Sequence, residues 1–210
     1  MTVLLSTTYF GPVQWYQKLY RADEAWIERY ESFQKQTYRN RCLIATTQGV
    51  QALTVPVVGA GQKVEDGGSI KDVRISDHGN WRHLHWNALL SAYGESPFFE
   101  YYQDDVRPFF ERRWEYLFDF NEAIREKMCE LLDIQPCTHY TDNYEKASTT
   151  LHPSPFMDYR DAIQPKHPAV DPDFKSRRYY QVYEAKHGFL PNLSIVDLLF
   201  NMGPEAILWL

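Results

Sequence analysis

The sequence predicts an α/β fold: a mixed sheet from N-terminal strands and a hairpin, packed against a mainly helical C-terminal half. Three observations carry that expectation. Residues 3–9 (VLLSTTY) run apolar and β-branched into Gly11-Pro12; helical spacing follows, then AWIERY at 25–30, which together read as the start of a βαβ unit. Two strand-like runs, 42–47 and 50–58, flank Gln48-Gly49, a hairpin signal because Gly takes the positive φ of a tight turn. From Asn80 onward the apolar spacing becomes helical and rich in aromatic rings.

Pro12 suits the first turn of a helix, where its missing N–H costs nothing, and Val13, Tyr16, Leu19 and Tyr20 repeat at helical spacing to about Arg21. GAGQKVEDGGS (59–69) reads as a surface loop. Val73 and Ile75 alternate with polar neighbours, so IKDVRIS (70–76) is expected as a strand. WRHLHWNALLSAYG (81–94) is expected as a helix that packs Trp81, Leu84, Ala88 and Tyr93 and ends at Gly94. Two prolines break SPFFEYYQDDVRPFFERR (96–113) into short helical pieces. A helix over 119–133 opens on Asp119 and Glu122, spaced as a capping box, and carries Phe120, Ile124, Met128, Leu131 and Leu132 as its apolar stripe. Pro153, Pro155, Pro165, Pro168 and Pro172 interrupt the polar stretch 138–190, which is expected to be irregular. PNLSIVDLLFNMGP (191–204) is a helix that Asn192 or Ser194 can cap and Gly203-Pro204 ends. EAILWL (205–210) is a last strand or an apolar tail. One domain (1–210) thus divides into an α/β part (1–79), a helical part (80–137), the irregular segment and a C-terminal helix (191–210).

Composition bounds the function. With 44% apolar and 16% aromatic residues, the chain can bury a large core or line a site that stacks rings and sugars. A net charge of −6 argues against nucleic acid or an anionic membrane as partner. No apolar run approaches the length of a membrane span, so no membrane insertion is expected. The start, MTVLLSTTYFGP, lacks the basic region of a secretory signal. Cys42, Cys129 and Cys137 make neither a disulfide framework nor a CxxC zinc pattern, which points to thiols in a reducing, cytoplasmic compartment. GxGxxG, P-loop, GxSxG and HExxH patterns are absent, so the sequence assigns no cofactor; it leaves the oligomeric state open.

The candidate site begins with SFQKQTYRNRCLI (32–44). Lys35, Arg39 and Arg41 stand among Gln34, Gln36 and Asn40 with no acid between, in a chain that is acidic overall. Guanidinium forks bind phosphate or carboxylate bidentately, and side-chain amides can complete an anion or sugar site. Next to a strand edge of an α/β sheet, this is where such folds hold ligands. Gln34, Lys35, Arg39, Asn40 and Arg41 are therefore expected to bind substrate. The bland alternative is a solvated loop whose arginines pair with acids elsewhere. In HGNWRHLHW (78–86), His83 and His85 would lie about 200° apart on a helix and His78 before it, so no metal site is expected. His85 is the candidate general base, because imidazole titrates near neutrality; the alternative is a histidine satisfied inside a half-buried helix. Tyr9 and Gln14 flank the first strand-to-helix turn, and with Trp81 are expected to face the ligand. Asp197 and Asn201, four residues apart, share a face of the last helix. A carboxylate on an apolar helix is paired or catalytic, and an arginine of the 34–41 loop would satisfy it.

In order along the chain, YFGPVQWYQKL (9–19), SFQKQTYRNRCLI (32–44), LTVPV (53–57), NWRHLHWNALLSAYGESPFFEYY (80–102), DFN (119–121) and LPNLSIVDLLFNMG (190–203) resemble the WbqC-like protein family of bacterial polysaccharide-locus proteins. The matching pieces cover about a third of the chain. The resemblance implies an enzyme that decorates O-antigen or related sugars by an aminoacyl, acyl or similar group transfer, and His85 matches a family position. It departs at TTLHPSPFMDYRDAIQPKHPAV (149–170), which has no Gly where longer members carry a Gly-rich segment. If that segment holds substrate in them, this chain binds a different one or binds it differently. Two functions are carried forward. The first is a transferase acting on a nucleotide-activated sugar, in which Lys35, Arg39 and Arg41 hold an anionic group and His85 takes a proton from the attacking amine or hydroxyl. The second is a non-catalytic module for a small anion or sugar. Both expect a small-molecule partner, and the first places the guanidinium groups near position 40 and the helix from Trp81 around one concavity.

Overall fold

The computed structural model describes residues 1–58, 68–146 and 155–210. All but the last two residues of the 59–69 loop lie outside them. The elements run β1 (Thr2–Ser6), α1 (Val13–Arg21), β2 (Glu24–Glu28), β3 (Arg41–Thr46), β4 (Gly49–Thr54), α2 (Trp81–Tyr93), α3 (Phe99–Val106), α4 (Pro108–Glu111), α5 (Leu117–Leu131), β5 (Thr138–Tyr140), β6 (Met157–Asp158), α6 (Glu184–His187) and α7 (Ile195–Met202), followed by a 3-10 stretch over Gly203–Trp209. The α/β class holds, and the strands divide into two sheets. One has the order β5-β2-β1-β6 with every pair parallel; the other is the antiparallel β3-β4 hairpin.

In β1, Val3, Leu4 and Leu5 are buried in succession, as expected of a central parallel strand covered on both faces. The chain leaves that strand at Ser6, three residues before the expected end, and turns through Phe10 at φ 41° into Pro12. Helix α1 then packs Trp15, Tyr16 and Leu19 into the core. Its free Gln14 N–H donates to Asn192 Oδ1 at 2.9 Å, so the residue expected to cap the last helix caps the first one instead. Ser194 turns its hydroxyl to the Phe10 carbonyl (2.7 Å) and leaves α7 without a side-chain cap.

Several elements depart from expectation for identifiable reasons. IKDVRIS is a 3-10 turn (Ile70–Asp72) followed by two isolated bridges, Arg74 to Tyr116 and Val57 to Ile75, because its neighbours meet it one residue at a time. The packed stripe of α2 is Trp81, His85, Leu89, Ala92 and Tyr93, whereas Leu84 is 58% exposed. The stripe is rotated from the expected one because His85, a polar residue, packs inward with Leu89. Helix α5 begins at Leu117, so Asp119 lies inside the first turn; the buried Glu122 carboxylate accepts from Thr7 (3.1 Å) and Arg125 (2.7 Å) rather than closing a box. The stretch 138–190 is not wholly irregular. It supplies β5 and β6, the two edges of the parallel sheet, which at three and two residues are too short to leave a periodic signal. One cluster of buried side chains runs from Val3 to Leu210 and joins both sheets to the helices. Cys42 and Cys129 are buried and Cys137 is exposed, all as free thiols. No described helix is long and apolar enough to cross a membrane.

Candidate functional site

All four strands of the parallel sheet point the same way, so Ser6, Glu28, Tyr140 and Asp158 mark one edge, the carboxyl ends. The chain adds β2 and β5 on one side of β1 and β6 on the other. Open α/β sheets bind ligands at such a switch in strand order, outside the carboxyl ends. A cavity of about 450 Å³ opens there, lined by Tyr30, Glu31, Ser32, Gln34, Arg39, Tyr144, Asp158, Arg160 and Asp161. That volume falls in the range of small-molecule sites.

Two buried ion networks form its floor. Arg39 is 2% exposed; its Nε donates to Glu31 Oε1 at 2.8 Å and its Nη2 to Glu31 Oε2 and to the Ser6 hydroxyl (2.8 Å). Arg160 donates Nε to Asp158 Oδ1 (2.9 Å), Nη2 to Asp158 Oδ2 (2.6 Å) and to the Glu145 carbonyl (2.8 Å), and Nη1 to Glu28 Oε2 (3.3 Å). Burial opposes the Arg160 charge, but the hydrogen bond and charge of Asp158 hold it on, above the usual arginine range. Glu28, with no exposed surface, also accepts from the Tyr30 N–H (2.7 Å) and the Thr141 hydroxyl (2.8 Å). The strand ends are thus locked to the loops that follow them, which fixes the shape of the cavity before any ligand arrives.

Of the residues nominated from sequence, Gln34 and Arg39 line this cavity. Lys35 is exposed on the same loop. Arg41 sits on the hairpin with Nε on Thr54 Oγ1 (3.0 Å), and Asn40 is buried with Nδ2 on the Val55 carbonyl (2.8 Å). Tyr9 and His85 meet in the core, Oη to Nδ1 at 2.8 Å, and His85 packs against the Trp81 ring at 5.1 Å. Trp81 donates to the Ser76 carbonyl (2.9 Å), and Gln14 Nε2 to Asp171 (2.8 Å), a carboxylate also paired with the buried Lys18 (2.9 Å). Asp197 has no exposed surface and accepts from Tyr93 (2.8 Å), Tyr179 (2.7 Å) and Gln181 (3.0 Å); Asn201 donates to its backbone carbonyl (2.7 Å).

Two expectations are therefore corrected. The partners of Asp197 are two phenols and an amide, not an arginine of the loop, and burial holds its carboxyl above the usual range despite those donors. The expected concavity shared by the loop guanidinium groups and the helix from Trp81 is not there either: Arg39 is turned to the sheet edge by Glu31, while Tyr9, Trp81 and His85 are packed inside. The residues that sequence reasoning missed are Glu28, Glu31, Tyr144, Asp158, Arg160 and Asp161. Glu28 and Glu31 had a signal, being carboxylates at the end of a strand and just beyond it in IERYES. Asp158, Arg160 and Asp161 had none, since they lie in the proline-interrupted stretch. Among the described residues no group of His, Cys, Asp and Glu is placed to hold a metal ion.

Burial drives the His85 imidazole down to about 4, although a backbone hydrogen bond at Thr54 works the other way. A lowered histidine pKa means that the unfolded chain binds the extra proton first. Stability from this group is full above about 6.5 and is lost as pH falls toward 4, by about 3 kcal/mol in all. Urea midpoints between those limits should fall for the parent chain, and His85→Gln should remove that part of the pH dependence. An unchanged slope would show that His85 does not titrate in this window.

The family model of the WbqC-like protein family matches residues 7–208. The Uncharacterized protein Rv1507c of Mycobacterium tuberculosis (strain ATCC 25618 / H37Rv) is 29% identical over 209 residues, covering 88% of this chain and 86% of that one. No solved structure matches the chain.

Proposed function

The chain belongs to the WbqC-like protein family, and on that premise we propose that it is a group transferase of surface-polysaccharide biosynthesis whose sugar-bearing substrate occupies the cavity at the carboxyl ends of β1, β2 and β6. The family is associated with polysaccharide-biosynthesis genes. One observation supports the reading most: the cavity stands at the switch in strand order and is lined by carboxylates, an amide, hydroxyls and tyrosine rings. Carboxylates and amides accept and donate to sugar hydroxyls, and tyrosine rings stack on the apolar face of a sugar. The reaction is transfer of an acyl or aminoacyl group to that sugar.

The reading is tested by thermal unfolding of the full chain with nucleotide sugars. A bound ligand at about 100 times its Kd adds roughly 2.7 kcal/mol. A shift with a nucleotide sugar is expected, and Gln34→Ala with Tyr144→Ala should abolish it, since both side chains are exposed at the cavity and make none of the hydrogen bonds of the buried networks, Tyr144 meeting them only through its ring, 5.3 Å from the Arg160 guanidinium carbon. The absence of any shift, or a shift these substitutions leave unchanged, would count against the site.

A second reading, a non-catalytic sugar-binding module, is favoured by one specific observation. Neither residue nominated for catalysis, His85 or Asp197, lines the cavity; both are enclosed by partners in the core. Mass spectrometry of the sugar after incubation with activated acyl and aminoacyl donors separates the two readings.

A further inference from the structure

The charges in the cavity do not balance, and the imbalance specifies the ligand. Arg39 is neutralised by Glu31, and Arg160 by Asp158 and Glu28. Asp161 is left over. Its carboxylate accepts from Gln164 at 3.0 Å and meets no cation among the described residues. The nearby Lys71 stands over the Tyr30 ring, 4.2 Å from its centroid, outside the lining. Among the lining residues, Glu31, Asp158 and Asp161 against Arg39 and Arg160 leave three negative charges facing two positive ones. Arg39 is the exception among the donors, because its buried guanidinium uses Nε and Nη2 and leaves Nη1 without a partner among the described residues. The cavity therefore offers the unpartnered Nη1 amino group of Arg39 and a surplus carboxylate to whatever enters.

We propose that the ligand of this cavity is an amino sugar, with its ammonium on Asp161 and a ring hydroxyl or ring oxygen on Arg39 Nη1. This rests on the reading of the cavity as a sugar site and narrows it to a class of sugar. A phosphate or a free carboxylate would find both arginines already neutralised by carboxylates and would meet the surplus negative charge. An amine-bearing ring replaces water at an unpaired carboxylate with a charge-assisted hydrogen bond, the stronger kind.

The test is an NMR titration of the full chain, below neutral pH so that the amine is charged, with D-glucosamine, D-glucose and glucose 6-phosphate as probes. Glucosamine is expected to bind at least about fivefold tighter than glucose, with shifts at the cavity-lining amides. Asp161→Asn, at an exposed side chain, should make the two sugars equal without altering the fold. Equal affinity of glucosamine and glucose for the parent chain would overturn the proposal while leaving the sugar site standing. Tighter binding of the phosphate would overturn it in favour of an anion. If none of the three shifts the lining resonances, the sugar-site reading falls as well.

Discussion

Replacing Glu31 by alanine is expected to lower folding stability by about 3–5 kcal/mol, the usual cost of stripping one partner from a buried ion pair. The Glu31 and Arg39 side chains are 5% and 3% exposed, so neither charge is shielded by water. With Glu31 gone, the guanidinium keeps one described partner, the Ser6 hydroxyl at 2.8 Å, and that hydroxyl loses its own acceptor at 3.2 Å. The cost is that of an orphaned charge, not the net worth of the pair. Glu31→Leu combined with Arg39→Met should therefore recover most of the loss, because apolar side chains of similar volume often replace a buried pair at no cost. Urea unfolding of the two variants is the measurement. A Glu31→Ala chain within about 1 kcal/mol of the parent would show that water reaches the pair. The double variant also has a functional use: it keeps the fold and removes a lining acceptor and the free Nη1, so loss of ligand binding in it is a loss of site chemistry.

This pair shows how far the sequence could be read. The acid-free loop 32–44 points to the carboxyl-end edge of the sheet, and Arg39 and Gln34 line a cavity there. The charge argument failed by one residue: Glu31, just before the stretch, neutralises Arg39. The other half of the cavity was not legible, because β6 is a two-residue strand and Arg160 reaches Glu28 from 132 positions away. Periodicity finds α1, α2, α5, α7 and the hairpin because each repeats its pattern over a turn or more; an edge strand of two residues repeats nothing. Asp197 and His85 are a different case. Asp197 was nominated because a carboxylate on an apolar helix is costly and His85 because imidazole titrates near neutrality, each with a structural role as the alternative, and the cost of burying such a group is real. It is met by Tyr93, Tyr179 and Gln181 for the carboxylate and by Tyr9 for the imidazole, and these partners, which lie 16 to 104 residues away, carry no local signature.

Gly203→Ala tests the same distinction from the other side, and is expected to cost about 2–6 kcal/mol, summing positive-φ strain of about 1–3 with overpacking of about 1–3. The sequence foretold part of it: Gly-Pro after an apolar helix marks a C-terminus, and Gly203 does end α7 with φ at 56°. It could not foretell the rest. A Cβ at this position would lie 2.5–2.6 Å from three carbons of the Phe98 ring, far inside contact distance. Phe98 cannot swing clear without loss, because its N–H donates to the Phe200 carbonyl (3.0 Å) and its ring packs on the core. The two contributions separate in a double-mutant cycle with Phe98→Ala. In that background Gly203→Ala should retain only the positive-φ strain, about 1–3 kcal/mol, and the difference between the two costs is the steric clash. If Gly203→Ala costs the same with and without the ring, α7 shifts to make room and the junction between α3 and α7 is softer than its packing implies. If it costs more in the parent alone, the position of Phe98 is set by the absence of a single carbon at Gly203, a constraint that joins two segments more than one hundred residues apart.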